Sequence, residues 1–153
     1  MNLSAHGSYS IEQQGNILLV DAKGPFNEVT LAQYHLDMKE VCQQMQGQPW
    51  ASLVTYYGNS IFTPEAEACL IDVTKYRIKH GMLANASVII NSNHADLQQM
   101  QLTRVYQSAG VLFHVFSDVE RAKDWLVDFL DNQRTAMISK PYAARCQLSH
   151  QVR

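Results

Sequence analysis

Two rhythms of apolar residues alternate along the chain, short runs of strand type and longer stretches spaced by three and four. The first two runs, Ser8 to Gln13 and Asn16 to Lys23, meet at Gln14-Gly15 and predict a tight hairpin. Leu31, Tyr34, Met38, Val41 and Met45 then predict a helix of about five turns. Asn27 is its N-cap, Phe26 can staple onto Leu31, and Gly47 and Pro49 stop it. Ala51 to Tyr57 reads as the third strand. Thr63 as N-cap and Pro64 at the first helical position open the next helix. That helix has Glu65 and Glu67 in its first turn, and Lys75, Arg77, Lys79 and His80 towards Gly81, charges that suit the macrodipole. Ser87 to Asn91 is the fourth strand. Asn93 or Ser92 caps a helix from Ala95 to Ala109, with Leu97, Met100, Tyr106 and Ala109 set to face inward. The closing unit runs Val111 to Phe116 as strand, Ser117 as N-cap with Glu120 completing a capping box, then Ala122, Trp125, Leu126 and Phe129 on one stripe.

The order β-β-α-β-α-β-α-β-α predicts an α/β fold: a mainly parallel five-stranded sheet, a leading antiparallel hairpin and four helices. The domain spans residues 8–130. The later strands are apolar on both faces, as with Leu53 and Tyr57 against Val54 and Tyr56, so both faces must be covered. Helices supply part of the cover, and a partner subunit or the tail the rest. Self-association into a homo-oligomer is therefore expected. The tail, residues 131–153, carries Arg134, Lys140, Arg145 and Arg153 against Asp131. It reads as a frayed extension, or as one that docks Met137, Ile138 and Tyr142.

A chain of 153 residues buries roughly 70 % of its unfolded surface without staples. A net charge of −2 argues against a nucleic-acid binder. Cys42, Cys69 and Cys146 lie far apart with no Cys-x-x-Cys, which reads as reduced thiols in a cytoplasmic protein and offers no metal knuckle. No secretory signal opens the chain, and no run reaches the ~20 apolar residues of a membrane span.

Candidate chemistry concentrates on Gly58 to Thr63, between a strand's carboxyl end and a helix start, where open α/β sheets bind ligands. Asn59, Ser60 and Thr63 offer short polar groups there; Glu65 and Glu67 oppose an anion. Tyr56 and Tyr57 put one phenol on each sheet face. His94, beside Asp96 at a helix start on the same edge, is a candidate base. The six histidines lack metal-ligand spacing, and His114 reads as buried in an apolar face. Cys69 reads as core. The phosphate-loop, dinucleotide and nucleophile-elbow patterns do not occur, so neither catalytic residues nor a cofactor is expected.

The loop Gly58 to Pro64 and the ending with Phe116, Asp118, Glu120, Ala122, Trp125 and Leu126 resemble the STAS-like (SpoIIAA-like) domains, in particular the bacterial STAS/SEC14-like branch. In anti-sigma antagonists a phosphorylated serine within Asp-Ser-x-Gly starts the helix after the third strand. Here Asn59-Ser60-Ile61-Phe62-Thr63-Pro64 stands in that place, so Ser60 or Thr63 is the position the resemblance implies for phosphorylation. It also implies a non-enzymatic regulatory or protein-interaction module with a signalling partner. The alternative is a SEC14-like carrier of a small apolar or amphipathic ligand. A weaker third reading is a small enzyme using Tyr57, Ser60, Thr63 and His94. Tyr57, Asn59, Ser60, Thr63 and His94 are the expected ligand- or partner-binding residues.

Overall fold

The computed structural model describes residues 6–139. Its elements are β1 (Ser8–Gln14), β2 (Ile17–Lys23), α1 (Glu28–Gln44), β3 (Trp50–Tyr57), α2 (Pro64–Lys79), β4 (Met82–Ile90), α3 (Ala95–Ala109), β5 (Leu112–Phe116) and α4 (Val119–Ser139). The sheet order is β1-β2-β3-β4-β5, antiparallel between β1 and β2 and parallel elsewhere. The predicted α/β class, hairpin and helix count are those observed.

Element ends shift for local reasons. The hairpin turns at Gly15-Asn16, one residue later than expected, because Gly15 takes the positive φ of +59° that the turn requires. β4 begins five residues early, since Met82 pairs with Trp50 and Ala84 to Ala86 pair with Ala51 to Leu53, the register shifting at Leu83. At α4 the cap is Asp118 rather than Ser117: its Oδ1 accepts from the Glu120 N–H at 3.0 Å. The expected caps at the first two helices hold, Asn27 Oδ1 accepting from Thr30 N–H at 3.2 Å and Thr63 Oγ1 from Ala66 N–H at 3.1 Å.

Helices α1, α2 and α3 share one face of the sheet. Their core joins Leu18, Val20, Phe26, Tyr34, Met38, Trp50, Val54, Leu70, Val73, Leu102 and Tyr106. α4 covers the opposite face through Ala122, Leu126 and Leu130 over Ile17, Ala51, Leu53, Ala84, Ala86 and Val88. The cover assigned to a partner or tail is thus supplied by α4, which continues through residues 131–139 expected to fray. Docking of Met137, Ile138 and Tyr142, and the state of Cys146, lie outside the described residues. Trp125 and Phe129, expected in the core, are half-buried, because the inward stripe of α4 is Ala122, Leu126 and Leu130. On α3 the inward face is rotated too: Leu97 and Met100 are 43 % and 58 % exposed, while Gln98, Gln101, Leu102, Val105 and Tyr106 are buried. His114, expected in an apolar face, is exposed on β5 with its ring 4.6 Å from that of Phe116.

A polar chain crosses the first core. Arg77, fully buried, donates to Ser52 Oγ and Thr74 Oγ1, each at 3.2 Å. Asn85 Nδ2 donates to Ser52 Oγ at 2.7 Å, and Ser87 Oγ–H bonds either Asn85 Oδ1 at 2.8 Å or Tyr106 OH at 3.2 Å. Burial disfavours the Arg77 charge, yet the electrostatic interaction with Tyr34, Tyr106, Tyr56 and Cys42 outweighs it and holds its pKa above the ordinary arginine value. Arg77, read from sequence as a solvated helix-end charge, is therefore a core residue.

Burial also raises the Cys42 thiol from 9.0 to about 11 and the Tyr34 phenol from 10.0 to about 12. The unfolded chain loses these protons at their ordinary values while the folded chain keeps them. Stability is therefore complete below about pH 9 and falls as pH rises towards 12, by up to about 1.4 kcal/mol per group per pH unit. Urea unfolding at about pH 8 and about pH 10.5 checks this, and Cys42→Val is expected to flatten the loss.

Candidate functional site

The parallel strands deliver their carboxyl ends, Lys23, Tyr57, Ile90 and Phe116, to one edge of the sheet. The loop after β3 is the centre of that edge and is braced on three sides. Towards β2, Ser60 Oγ accepts from the Gly24 N–H and donates to Tyr57 C=O, both at 2.8 Å. Gly24 can only be glycine here: a Cβ would stand 2.8 Å from Ser60 Cα. The Phe26 N–H donates to Ile61 C=O at 2.8 Å, and the Thr63 N–H to Phe26 C=O at 3.1 Å. The Phe26 and Phe62 rings lie 5.0 Å apart.

Towards α3, the Gln101 amide clamps the Phe62 backbone, accepting its N–H at 3.0 Å and donating to its C=O at 2.9 Å. Glu67 is held by the Arg104 guanidinium, with Nη2 to Oε2 at 2.9 Å. Towards the loop after β4, Asn59 Oδ1 accepts from the Asn93 N–H at 2.8 Å and from Ser92 Oγ at 3.1 Å. Ser92 Oγ also accepts from the His94 N–H at 2.9 Å and contacts Gln98 Oε1. Gln98 is buried, and its Nε2 has no hydrogen-bond partner among the described residues.

Of the five residues expected to bind, three are thus occupied in holding loops together. Ser60 is 1 % exposed with its hydroxyl both donating and accepting. A phosphoryl group there requires both bonds to break and the loop to open. Thr63 Oγ1 is committed to the α2 cap, and Asn59 Oδ1 to the neighbouring loop. Tyr57, 39 % exposed, faces a shallow recess of about 270 Å³ shared with Ser8, Tyr9, Ser10, Asp21 and Lys23. His94 occupies the N-cap of α3 with no side-chain capping bond, and is exposed. No hydrogen bond or ring contact joins Tyr57 to His94 among the described residues. Sequence reading missed Gln98 and Gln101, whose burial contradicts their type; their spacing with Leu102 and Val105 was the available signal.

Between α1, α2 and the sheet lies a narrow, half-open void of about 30 Å³, lined by Tyr9, Phe26, Tyr34, Tyr56, Phe62 and Leu70 among others. That is room for one water and far below the several hundred Å³ of an ordinary ligand pocket. Burial and the neighbouring Tyr106 push the Tyr56 phenol well above its ordinary range, so it stays neutral beside this void.

A crystal structure of an uncharacterized DUF3478-family protein with a SpoIIAA-like fold, from Shewanella loihica PV-4, matches with a TM-score of 0.54. The match covers 82 % of this chain and 98 % of that one. The fold is SpoIIAA-like. At 18 % identity this likeness is one of fold. No protein-family model matches the chain, and no curated protein does.

In this SpoIIAA-like domain the position implied for phosphorylation is a brace between two loops. Ser60→Ala is expected to cost about 1–3 kcal/mol, because it strands the half-buried Gly24 N–H, and Thr63→Ala about 1 kcal/mol through the lost cap. Chemical denaturation of the two single variants checks the order; equal losses would show that Ser60 contributes no more than an ordinary helix cap.

Proposed function

We propose that this SpoIIAA-like domain is a non-enzymatic interaction module that presents the carboxyl edge of its sheet to a folded signalling partner. The observation that carries the reading is the bracing of the loop Gly58 to Thr63 by Gly24, Phe26, Gln101 and Asn93. A loop tied this way keeps one shape, and a preformed shape is what rigid docking of a folded partner uses. The hydroxyls that a small enzyme would need as nucleophiles are engaged in the loops themselves. Tyr57 and His94 remain exposed at the rim, amphipathic side chains suited to contact. The small volume of the void between sheet and helices weighs against the SEC14-like carrier. A reducing, cytoplasmic setting fits the free thiols of Cys42 and Cys69.

The test is affinity capture with the wild-type chain and with Tyr57→Asp/His94→Asp, followed by native mass spectrometry of the purified protein. Both side chains are exposed, so the variant is expected to melt within a few degrees of wild type. A partner held by wild type and lost from the variant is the expected result. A stoichiometric small molecule in the native spectrum would replace this reading with the carrier.

A further inference from the structure

The two edges of the sheet are guarded unequally. β1 offers Ser8, Ser10, Glu12, Gln13 and Gln14, the polar and charged residues that discourage pairing with another chain. β5 is Leu112-Phe113-His114-Val115-Phe116, with no acid, lysine, arginine, proline or bulge. Among the described residues nothing pairs with its outer side. Leu112 is 51 % exposed and His114 is exposed.

An aromatic flank continues from this strand onto α4. The Trp125 ring lies 5.9 Å from His114, 5.8 Å from Phe116 and 6.3 Å from Phe129. Trp125 and Phe129 sit beside the buried stripe Ala122, Leu126 and Leu130, on the side towards β5, and remain half-buried. On the same flank, Arg121 lies one turn before Trp125 and Asp128 one turn after it, both exposed, with Arg121 Nε also 3.9 Å from Asp118 Oδ2 in an exposed pair that leaves its guanidinium open to a further carboxylate. The flank therefore carries opposite charges at opposite ends of an aromatic centre.

We propose that a second copy of this chain docks on this flank, β5 against β5 in antiparallel sense about a two-fold axis at His114. The outer backbone groups of each strand then find partners, and the five-stranded sheet continues into its mate. Leu112 of one copy stands opposite Phe116 of the other, and Trp125 and Phe129 lose the rest of their water. A two-fold axis reverses the flank, so Arg121 of each copy comes against Asp128 of the other, twice, with unlike charges matched. A parallel arrangement would set like charges together. The same two-fold pairing is closed to β1, where Glu12 and the polar row favour water.

Sedimentation of the full chain from about 1 to about 100 micromolar tests this, the span in which a dimer of moderate affinity forms. Twice the chain mass is expected at the upper end. His114→Lys puts two ammonium groups at the axis and is expected to weaken association about tenfold or more. Arg121→Asp and Asp128→Arg are each expected to weaken it, and the double variant, which restores matched charges, to recover it. Melting curves of these exposed-site variants confirm that the fold is kept. A monomer at all concentrations overturns the proposal; hydrogen exchange then tells a bare β5 edge from one covered by residues 140–153. A dimer indifferent to His114→Lys, or a double variant weaker than either single one, overturns it equally. So does a chain that stays monomeric while a different protein occupies the flank.

Discussion

Arg77→Ala is expected to lower stability by about 3–5 kcal/mol, whereas Arg77→Met loses less than half of that. The guanidinium is wholly buried and hydrogen-bonds Ser52 and Thr74. The ion pairs among the described residues, Arg104 with Glu67 and Arg121 with Asp118, leave Arg77 without a carboxylate. Its Nε also lacks a partner among the described residues. Burial disfavours such a cation, and the electrostatic interaction with Tyr34, Tyr106, Tyr56 and Cys42, rather than an ion pair, offsets that cost. Alanine removes the hydrogen bonds and leaves a large hole. Methionine fills most of the hole and removes the buried charge, while Ser52 stays bonded to Asn85. Urea unfolding of the two variants checks the order. If methionine costs as much as alanine, the hydrogen bonds of Arg77, rather than its volume, hold this part of the core.

Trp50→Ala is expected to cost about 3–5 kcal/mol and to lower the melting temperature by about 10 °C or more, while Trp125→Ala costs about 1–2 kcal/mol. Trp50 is 0 % exposed, and its indole N–H donates to His80 C=O at 2.9 Å. It also packs on Gly81, where φ is +107° and a Cβ would stand 3.1 Å from the ring nitrogen. The residue thus ties the start of β3 to the end of α2. Trp125 keeps solvent on one side and loses only ring contacts. Thermal melts at low micromolar protein, where association contributes least, compare the two directly. Equal losses would show that the flank of α4 is as much core as the strand ends.

The element order was legible because caps and stops act within a few residues. Asn27, Thr63-Pro64 and Gly110 each announce a helix end through a local bond or a local φ, and the helices begin and end there. Errors arose where a helix or strand had more than one plausible apolar face. On α3, Leu97 and Met100 suggest one face and Leu102, Val105 and Tyr106 another. The second won because Gln101 found two buried hydrogen bonds at the Phe62 backbone and Gln98 a contact at Ser92. On α4 the smallest side chain settled the matter. Ala122 lets the helix approach Ala84 and Ala86, and the bulkier Trp125 turns to the side.

Of the candidate site, the sequence located the edge but misjudged what its residues do. Ser60 looks like a free hydroxyl in a turn, and its role as a brace depends on Gly24, which is distant in the chain. Such contacts are set by register across a sheet, and register is a property of the whole pairing.

By itself the sequence determined the α/β class, the hairpin, the order of strands and helices and the starts of α1 and α2, since each follows from a period or a capping bond spanning a few residues. Tertiary structure alone decided which faces point inward, that Arg77 and two glutamines enter the core, and that the hydroxyls of the carboxyl edge hold loops together. Among the described residues it also left β5 and the flank of α4 uncovered. These outcomes depend on which distant groups meet to satisfy buried donors and fill volume, and no local pattern encodes that meeting.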